Sequence, residues 1–99
     1  MPHSILIVDD EALTLRTIGR ALTTEGYEVL SATSGEDALK IVAEEKPDLA
    51  LLDVVLPGIN GIEVLRQAKK LSPAMIVVMM SAYHMVDRAV EAMKLGAYD

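Results

Sequence analysis

Cysteine is absent from the 99 residues. That excludes disulfides and thiolate metal sites, and it suits a reducing compartment. Aromatic residues make up only 3% of a chain that is 52% hydrophobic, so the core is expected to be aliphatic and methionine-rich. Basic residues are the minority, nine against fifteen acidic ones, for a net charge of −6. A phosphate backbone is repelled by such a balance, so no direct nucleic-acid binding is expected of this segment. Long apolar runs are also missing: no stretch approaches the ~20 residues that cross a bilayer. Met1-Pro2-His3-Ser4 carries no charged region leading into a long apolar segment, so no signal peptide is expected. A soluble, cytoplasmic protein without membrane contact is the resulting expectation.

What is present is a repeating order. Ninety-nine residues suffice for one domain with one core. Ile5–Val8, Leu49–Leu52 and Met75–Met80 are nearly continuous apolar runs, as strands covered on both faces of a parallel sheet require. Glu28–Ala32 is more mixed and suits an edge strand. Between the runs lie helical periodicities. Ala12, Leu15, Ile18 and Leu22 share one face, stopped by Gly26. Ala38, Leu39, Ile41 and Val42 share the next; Ser34 can cap it, Glu36 and Asp37 favour its positive end, and it must close before Pro47. Ile62, Leu65 and Ala68 mark a third helix ending near Leu71-Ser72-Pro73. Val86, Ala89, Val90 and Met93 mark a fourth, followed by Gly96. The alternation predicts an α/β fold with an open, doubly wound parallel sheet. The pattern stops after Gly96-Ala97-Tyr98-Asp99, where another strand is expected, so residues 1–99 read as one C-terminally incomplete domain. An apolar fourth strand left at the margin is expected to favour self-association, such as a homodimer.

The chemistry-bearing residues follow the strands. Asp9-Asp10-Glu11 stand behind Ile5–Val8, and Asp53 stands behind Leu49–Leu52. A carboxylate at the end of a buried strand is costly unless something pairs with it. Open parallel sheets gather ligands at the carboxyl ends of their strands, so these acids and Ser81 are predicted to share one rim. A ligand set made only of oxygens favours Mg²⁺. An aspartate beside such a cation can attack phosphorus to give an acyl phosphate, while a hydroxyl at Ser81 donates to the phosphoryl oxygens. Plainer readings exist for each group. Asp9-Asp10-Glu11 could be a solvated helix cap, and Ser81 alone a loop residue. His3 reads as structurally idle and His84 as an exposed loop residue. Tyr27 and Tyr98 read as packing residues, and Met75, Met79, Met80 and Met93 as core filler.

Order and spacing together resemble a known family. Ile5-Leu6-Ile7-Val8-Asp9-Asp10-Glu11, then Asp53-Val54-Val55-Leu56-Pro57-Gly58-Ile59-Asn60-Gly61, then Ser81-Ala82 and Gly96-Ala97-Tyr98-Asp99 are similar to the receiver domain of bacterial two-component response regulators. The resemblance implies a flavodoxin-like sheet of order 2-1-3-4, with the family's fifth strand and last helix missing here. It implies Asp53 as the phosphoacceptor and Asp10 as a direct Mg²⁺ ligand, with Asp9 supporting the ion, often through water. It further implies the Val55 backbone carbonyl as a ligand, Asp53 as both ligand and acceptor, and Ser81 as the switch hydroxyl. The implied partners are a sensor histidine kinase, in a phosphorelay, and an attached output module regulating transcription. The wording around Ser81–Asp99 looks most like receivers of activators that carry an ATPase module and work with an alternative sigma factor. The domain would not be an enzyme, beyond its own phosphorylation and dephosphorylation.

The family also places a lysine followed by proline, and an aromatic just before it, at the end of its fifth strand; this chain has neither. The missing cation lowers the phosphorylation expected of the chain as given, and leaves a receiver-like protein-interaction module as the alternative. An aspartyl phosphohydrolase fits less well, because such enzymes separate two aspartates by one residue. A flavin or nucleotide binder would need a glycine- and hydroxyl-rich first loop, and this one is acidic. Val55 and Tyr83, both expected to flank the phosphoryl group, offer no carboxylate or amide to orient a hydrolytic water. A long-lived phosphoryl group is therefore predicted.

Overall fold

The computed structural model describes residues 3–56 and 58–80. Its elements run β1 (Ser4–Val8), α1 (Ala12–Thr24), β2 (Glu28–Ala32), α2 (Gly35–Glu45), β3 (Leu49–Asp53), α3 (Gly61–Leu71) and β4 (Ile76–Met80). The four strands form one parallel sheet in the order β2-β1-β3-β4, as predicted. Ser81, Tyr83, His84, Tyr98 and the predicted fourth helix lie outside the described residues. None of the described helices is long and apolar enough to cross a membrane.

Capping residues decide where the helices start and stop. Ser34 accepts the Asp37 N–H at 3.2 Å and opens α2, with Glu36 and Asp37 in the first turn, where they oppose the positive helix end. Asn60 accepts the Glu63 N–H at 3.0 Å and opens α3, whose last turn carries Lys69 and Lys70. At the end of α1, Gly26 takes a φ of +95°. The Tyr27 N–H then returns to the Leu22 carbonyl at 3.1 Å, a closure that glycine allows without strain.

Strand pleating sorts side chains by parity. Leu6, Leu30, Ala50 and Val77 stand side by side, as do Val8, Ala32, Leu52 and Met79. They pack with Ala38 and Val42 of α2 and Ile62, Leu65 and Ala68 of α3 in one core cluster. On the other face stand Ile5, Val29, Leu49 and Ile76, then Ile7, Ser31, Leu51 and Val78. Helix α1 approaches that face at Gly19 and Val29, yet none of its thirteen residues is buried. Ile5 and Ile7 are buried, while Ile76 remains 45% exposed.

The sheet therefore presents two ends. At its amino end the Ser4 N–H donates to Asp48 Oδ2 at 2.8 Å, and His3 Nδ1 lies 3.5 Å from the same oxygen. His3, expected to be structurally idle, lies beside this link but is 77% exposed. Tyr27 is more exposed than a packing residue, at 39%.

Candidate functional site

The carboxyl end gathers the acids. Strands β1 and β3 are neighbours with Val8 opposite Leu52, so Asp9, just after β1, and Asp53, the last residue of β3, come side by side. One carboxylate oxygen each from Asp9, Asp10 and Asp53 fall within 4.8 Å of one another. Asp9 is buried, Asp53 half-buried and Asp10 exposed, which gives the cluster a sealed floor and an open mouth.

Local backbone bonds hold each acid. The Asp9 N–H donates to the Ala32 carbonyl at 3.2 Å, anchoring the end of β1 to β2. Asp9 Oδ1 accepts the Glu11 N–H at 2.9 Å, so one oxygen is committed to the turn. Asp53 Oδ1 accepts the Val55 N–H at 3.0 Å in the same manner. Beyond β3 the chain continues inward-outward-inward: Val54 and Leu56 are buried and Val55 is 43% exposed. The Val54 N–H donates to the Met80 carbonyl at 3.2 Å, and the Gly61 N–H to the Val54 carbonyl at 3.0 Å. The end of β3 is thus held by β4 on one side and by α3 on the other.

The third acid of the run does different work. Glu11 is the N-cap residue of α1 but makes no side-chain cap bond; its Oε1 instead accepts from Thr14 Oγ1 at 2.9 Å. Asp9 Oδ1 keeps a cap-like bond to the Glu11 N–H at the start of α1, and one oxygen each of Asp9 and Asp10 also lies within 4.8 Å of Asp53.

Burial pushes the Asp53 carboxyl above its ordinary range, and the charges of Asp9 and Asp10 push it the same way, against the lowering effect of the Val55 N–H. A cation seated among the three would relieve that crowding. The donor set fits a hard divalent ion: carboxylate oxygens only, one mouth open to water, and no sulfur or imidazole among the described residues of the cluster. Of the residues singled out from the sequence, Asp9, Asp10 and Asp53 come together, and Val55 adjoins them through its bond to Asp53. Ser81 lies outside the described residues. It follows Met80, which stands opposite Asp53 in the sheet.

Two contributors escaped the sequence reading. Asn60, capping α3, had a legible signal, since an N-capping residue three positions before Glu63 matches the capping-box pattern. Gly61, against the end of β3, had none outside the family motif.

Comparison with known proteins agrees with this geometry. The family model described as response regulator receiver domain matches residues 5–99. The sporulation initiation phosphotransferase F of Bacillus subtilis is 40% identical over 97 residues, covering 98% of this chain and 78% of that protein. A response regulator receiver domain protein (CheY-like) from Methanospirillum hungatei superposes with a TM-score of 0.95 at 36% identity, covering 98% of this chain and 78% of that one. A response regulator from Burkholderia pseudomallei, solved with a phosphorylated aspartic acid, a calcium ion and citrate, gives 0.91 at 28% identity, covering 96% and 56%. Several further relatives are transcriptional regulatory proteins, of whose length the chain spans between 21% and 43%. With the fold, the acidic cluster and these matches in agreement, the chain belongs to the response regulator receiver domain family.

Proposed function

We propose that Asp53 accepts a phosphoryl group from the phosphohistidine of a sensor histidine kinase, with Mg²⁺ as the cofactor, and that the change switches an attached output module that regulates transcription. The observation that carries this reading is the convergence of Asp9, Asp10 and Asp53 within 4.8 Å at the carboxyl end of the sheet. Asp9, Asp10, Asp53 and the Val55 carbonyl would hold the cation, which supplies charge neutralisation for the incoming phosphoryl oxygens. The chain's own part is positioning. Asp53 Oδ1 is held by the Val55 N–H, so the carboxylate keeps one orientation, with its second oxygen left to act as the nucleophile. That oxygen bonds to phosphorus, the nitrogen–phosphorus bond breaks, and its electron pair returns to the donor imidazole. No electron leaves or enters the pair of proteins.

Ser81 would donate its hydroxyl to the phosphoryl oxygens once they are bound. The phosphorylated state then differs from the free one in its contacts near the end of β4, and a population shift follows from that difference in binding. In this reading the domain is a phosphoacceptor that catalyses only its own phosphorylation and dephosphorylation. The solved relative carrying a phosphorylated aspartic acid and the transcriptional regulators among the relatives support it.

The test is incubation with a small acyl phosphate, with and without Mg²⁺, followed by intact mass. It is run on this chain and on a version extended past Asp99 by a lysine-bearing strand. A single phosphoryl gain that depends on Mg²⁺ and on Asp53 is expected. No gain in either version overturns the reading in favour of a protein-interaction module.

A further inference from the structure

The geometry points to Gly61 as a positioning residue for the Asp53 carboxylate, an inference that rests on the cation-and-phosphoacceptor reading above. A Cβ placed on Gly61 would run into the carbonyl oxygen of Asp53, and would meet both the Cα and the carbonyl oxygen of Val54 at 2.8 Å. Cβ atoms essentially never approach other heavy atoms closer than 3.0 Å. All three obstacles are backbone, so no rotamer change can clear them. Gly35 is crowded differently, chiefly by the γ-methyl groups of Ile59 and Val64, the latter at 2.5 Å, rather than by backbone.

Backbone torsion does not explain the glycine. Among the described residues the glycines at positive φ are Gly26 and Gly58, so Gly61 is needed for space. Its absent side chain lets the first turn of α3 rest directly on Asp53, the last residue of β3, and on Val54 after it. The Gly61 N–H seals that contact by donating to the Val54 carbonyl at 3.0 Å.

The contact bears on the acidic cluster because its acids hang from separate strands. Asp9 is anchored through the Ala32 carbonyl, whereas Asp53 is anchored through Met80 and, by way of Val54, through Gly61. The pairing of β3 with β1 sets the height of Asp53 relative to Asp9 and Asp10, and the seat of α3 on Asp53 and Val54 adjusts it. Clearing the Asp53 carbonyl oxygen from an added methyl group needs a displacement of roughly an ångström, about twice the tolerance of a functional constellation. A shift of that size would part Asp53 from Asp9 and Asp10.

The experiment is a calorimetric Mg²⁺ titration of the whole chain and three variants, well below their unfolding temperatures. Gly61→Ala is expected to weaken Mg²⁺ binding about tenfold, as loss of an orienting neighbour does at metal sites. Asn60→Ala adds no atom but loosens the same turn, and is expected to weaken binding in the same direction by about threefold. Val42→Ala, a destabilising change in the core far from the acids, is expected to stay within about twofold of the parent. Parent-like affinity in Gly61→Ala, or equal losses in Gly61→Ala and Val42→Ala, overturns the positioning role. If Gly61→Ala does not fold, Asn60→Ala decides, and unchanged affinity there overturns it. A parent chain that binds no Mg²⁺ overturns the cation reading itself, and this inference with it.

Discussion

Strand β3 is bracketed by two aspartates with opposite surroundings. Asp48, just before the strand, faces hydrogen-bond donors. The Ser4 N–H holds its carboxyl below the ordinary aspartate range, and His3 acts in the same direction. Asp53, at the other end, meets burial and two further acids, which push its carboxyl up. Both residues are polar ends of one apolar run, and from the sequence alone they carry the same charge. The difference teaches where to look for chemistry. A carboxylate satisfied by the chain ties two strands together, whereas one crowded by its own kind awaits something from outside.

Exchanging each aspartate for asparagine gives the sharpest way to break this comparison, and the largest effect. Asp53→Asn is expected to abolish labelling by an acyl phosphate while raising stability in the absence of Mg²⁺, because a crowded negative charge disappears. Asp48→Asn is expected to lower stability and leave labelling at the parent level. Labelling is read by intact mass and stability by urea unfolding. Labelling that survives Asp53→Asn would remove the functional half of the contrast.

The response to acid should separate the two ends next. A carboxyl raised in the folded state favours folding when protonated, so the Asp53 contribution is present at low pH and lost as pH rises through its raised value. A lowered carboxyl does the reverse: the Asp48 contribution is present above the ordinary value of 3.8 and lost as pH falls through its depressed value. Without Mg²⁺, the stability curve should therefore rise as the solution is acidified from neutrality and fall again at lower pH. Asp53→Asn should flatten the rise, and Asp48→Asn should weaken the fall. Urea midpoints taken across the acid range decide it, and a rise unchanged in Asp53→Asn would contradict the assignment. Mg²⁺ competes with the proton at Asp53, so its affinity should weaken over the same acidification.

Much of this was legible in the sequence, and the gaps have physical causes. The strands showed as apolar runs because a parallel sheet buries both faces. Met75 was read as the start of the last strand, yet its N–H donates to the Ser72 carbonyl at 3.0 Å and β4 begins at Ile76. Its side chain is buried while its backbone belongs to a turn, and hydropathy reports only the former. Asp9, Asp10 and Asp53 were legible because each follows a strand and the strand order brings their ends together. Asp48 carries no comparable signal, because it precedes its strand and its donor, Ser4, is distant in the chain. The seat of Gly61 could not be read at all, since its obstacles are backbone atoms of Asp53 and Val54, brought close only by the packing of α3.

Within the acidic end, Val55 offers a finer division. It is exposed beside Asp53 and carries no group able to orient water. Val55→Asn is expected to shorten the lifetime of the phosphoryl group, by up to about a hundredfold if the amide holds the attacking water. The decay of the phosphorylated mass over time measures it. An unchanged rate would show that water reaches the phosphorus by a path that Val55 does not control.

The smallest expected effect concerns His3 and tests what makes the amino end quiet. His3 Nδ1 and Asp48 Oδ2 are 3.5 Å apart, but the side chains are 77% and 56% exposed. Exposed pairs of this kind are screened by water and salt. The Ser4 N–H, at 2.8 Å, is the largest cause of the Asp48 shift, and His3 comes after it. His3→Ala is therefore expected to lower the urea midpoint only slightly, by less than Asp48→Asn does. A loss as large as that of Asp48→Asn would mean that the ion pair, not the backbone donor, joins β1 to β3. The quiet end of the strand would then depend on an exposed side-chain pair, and its contrast with the Asp53 end would narrow.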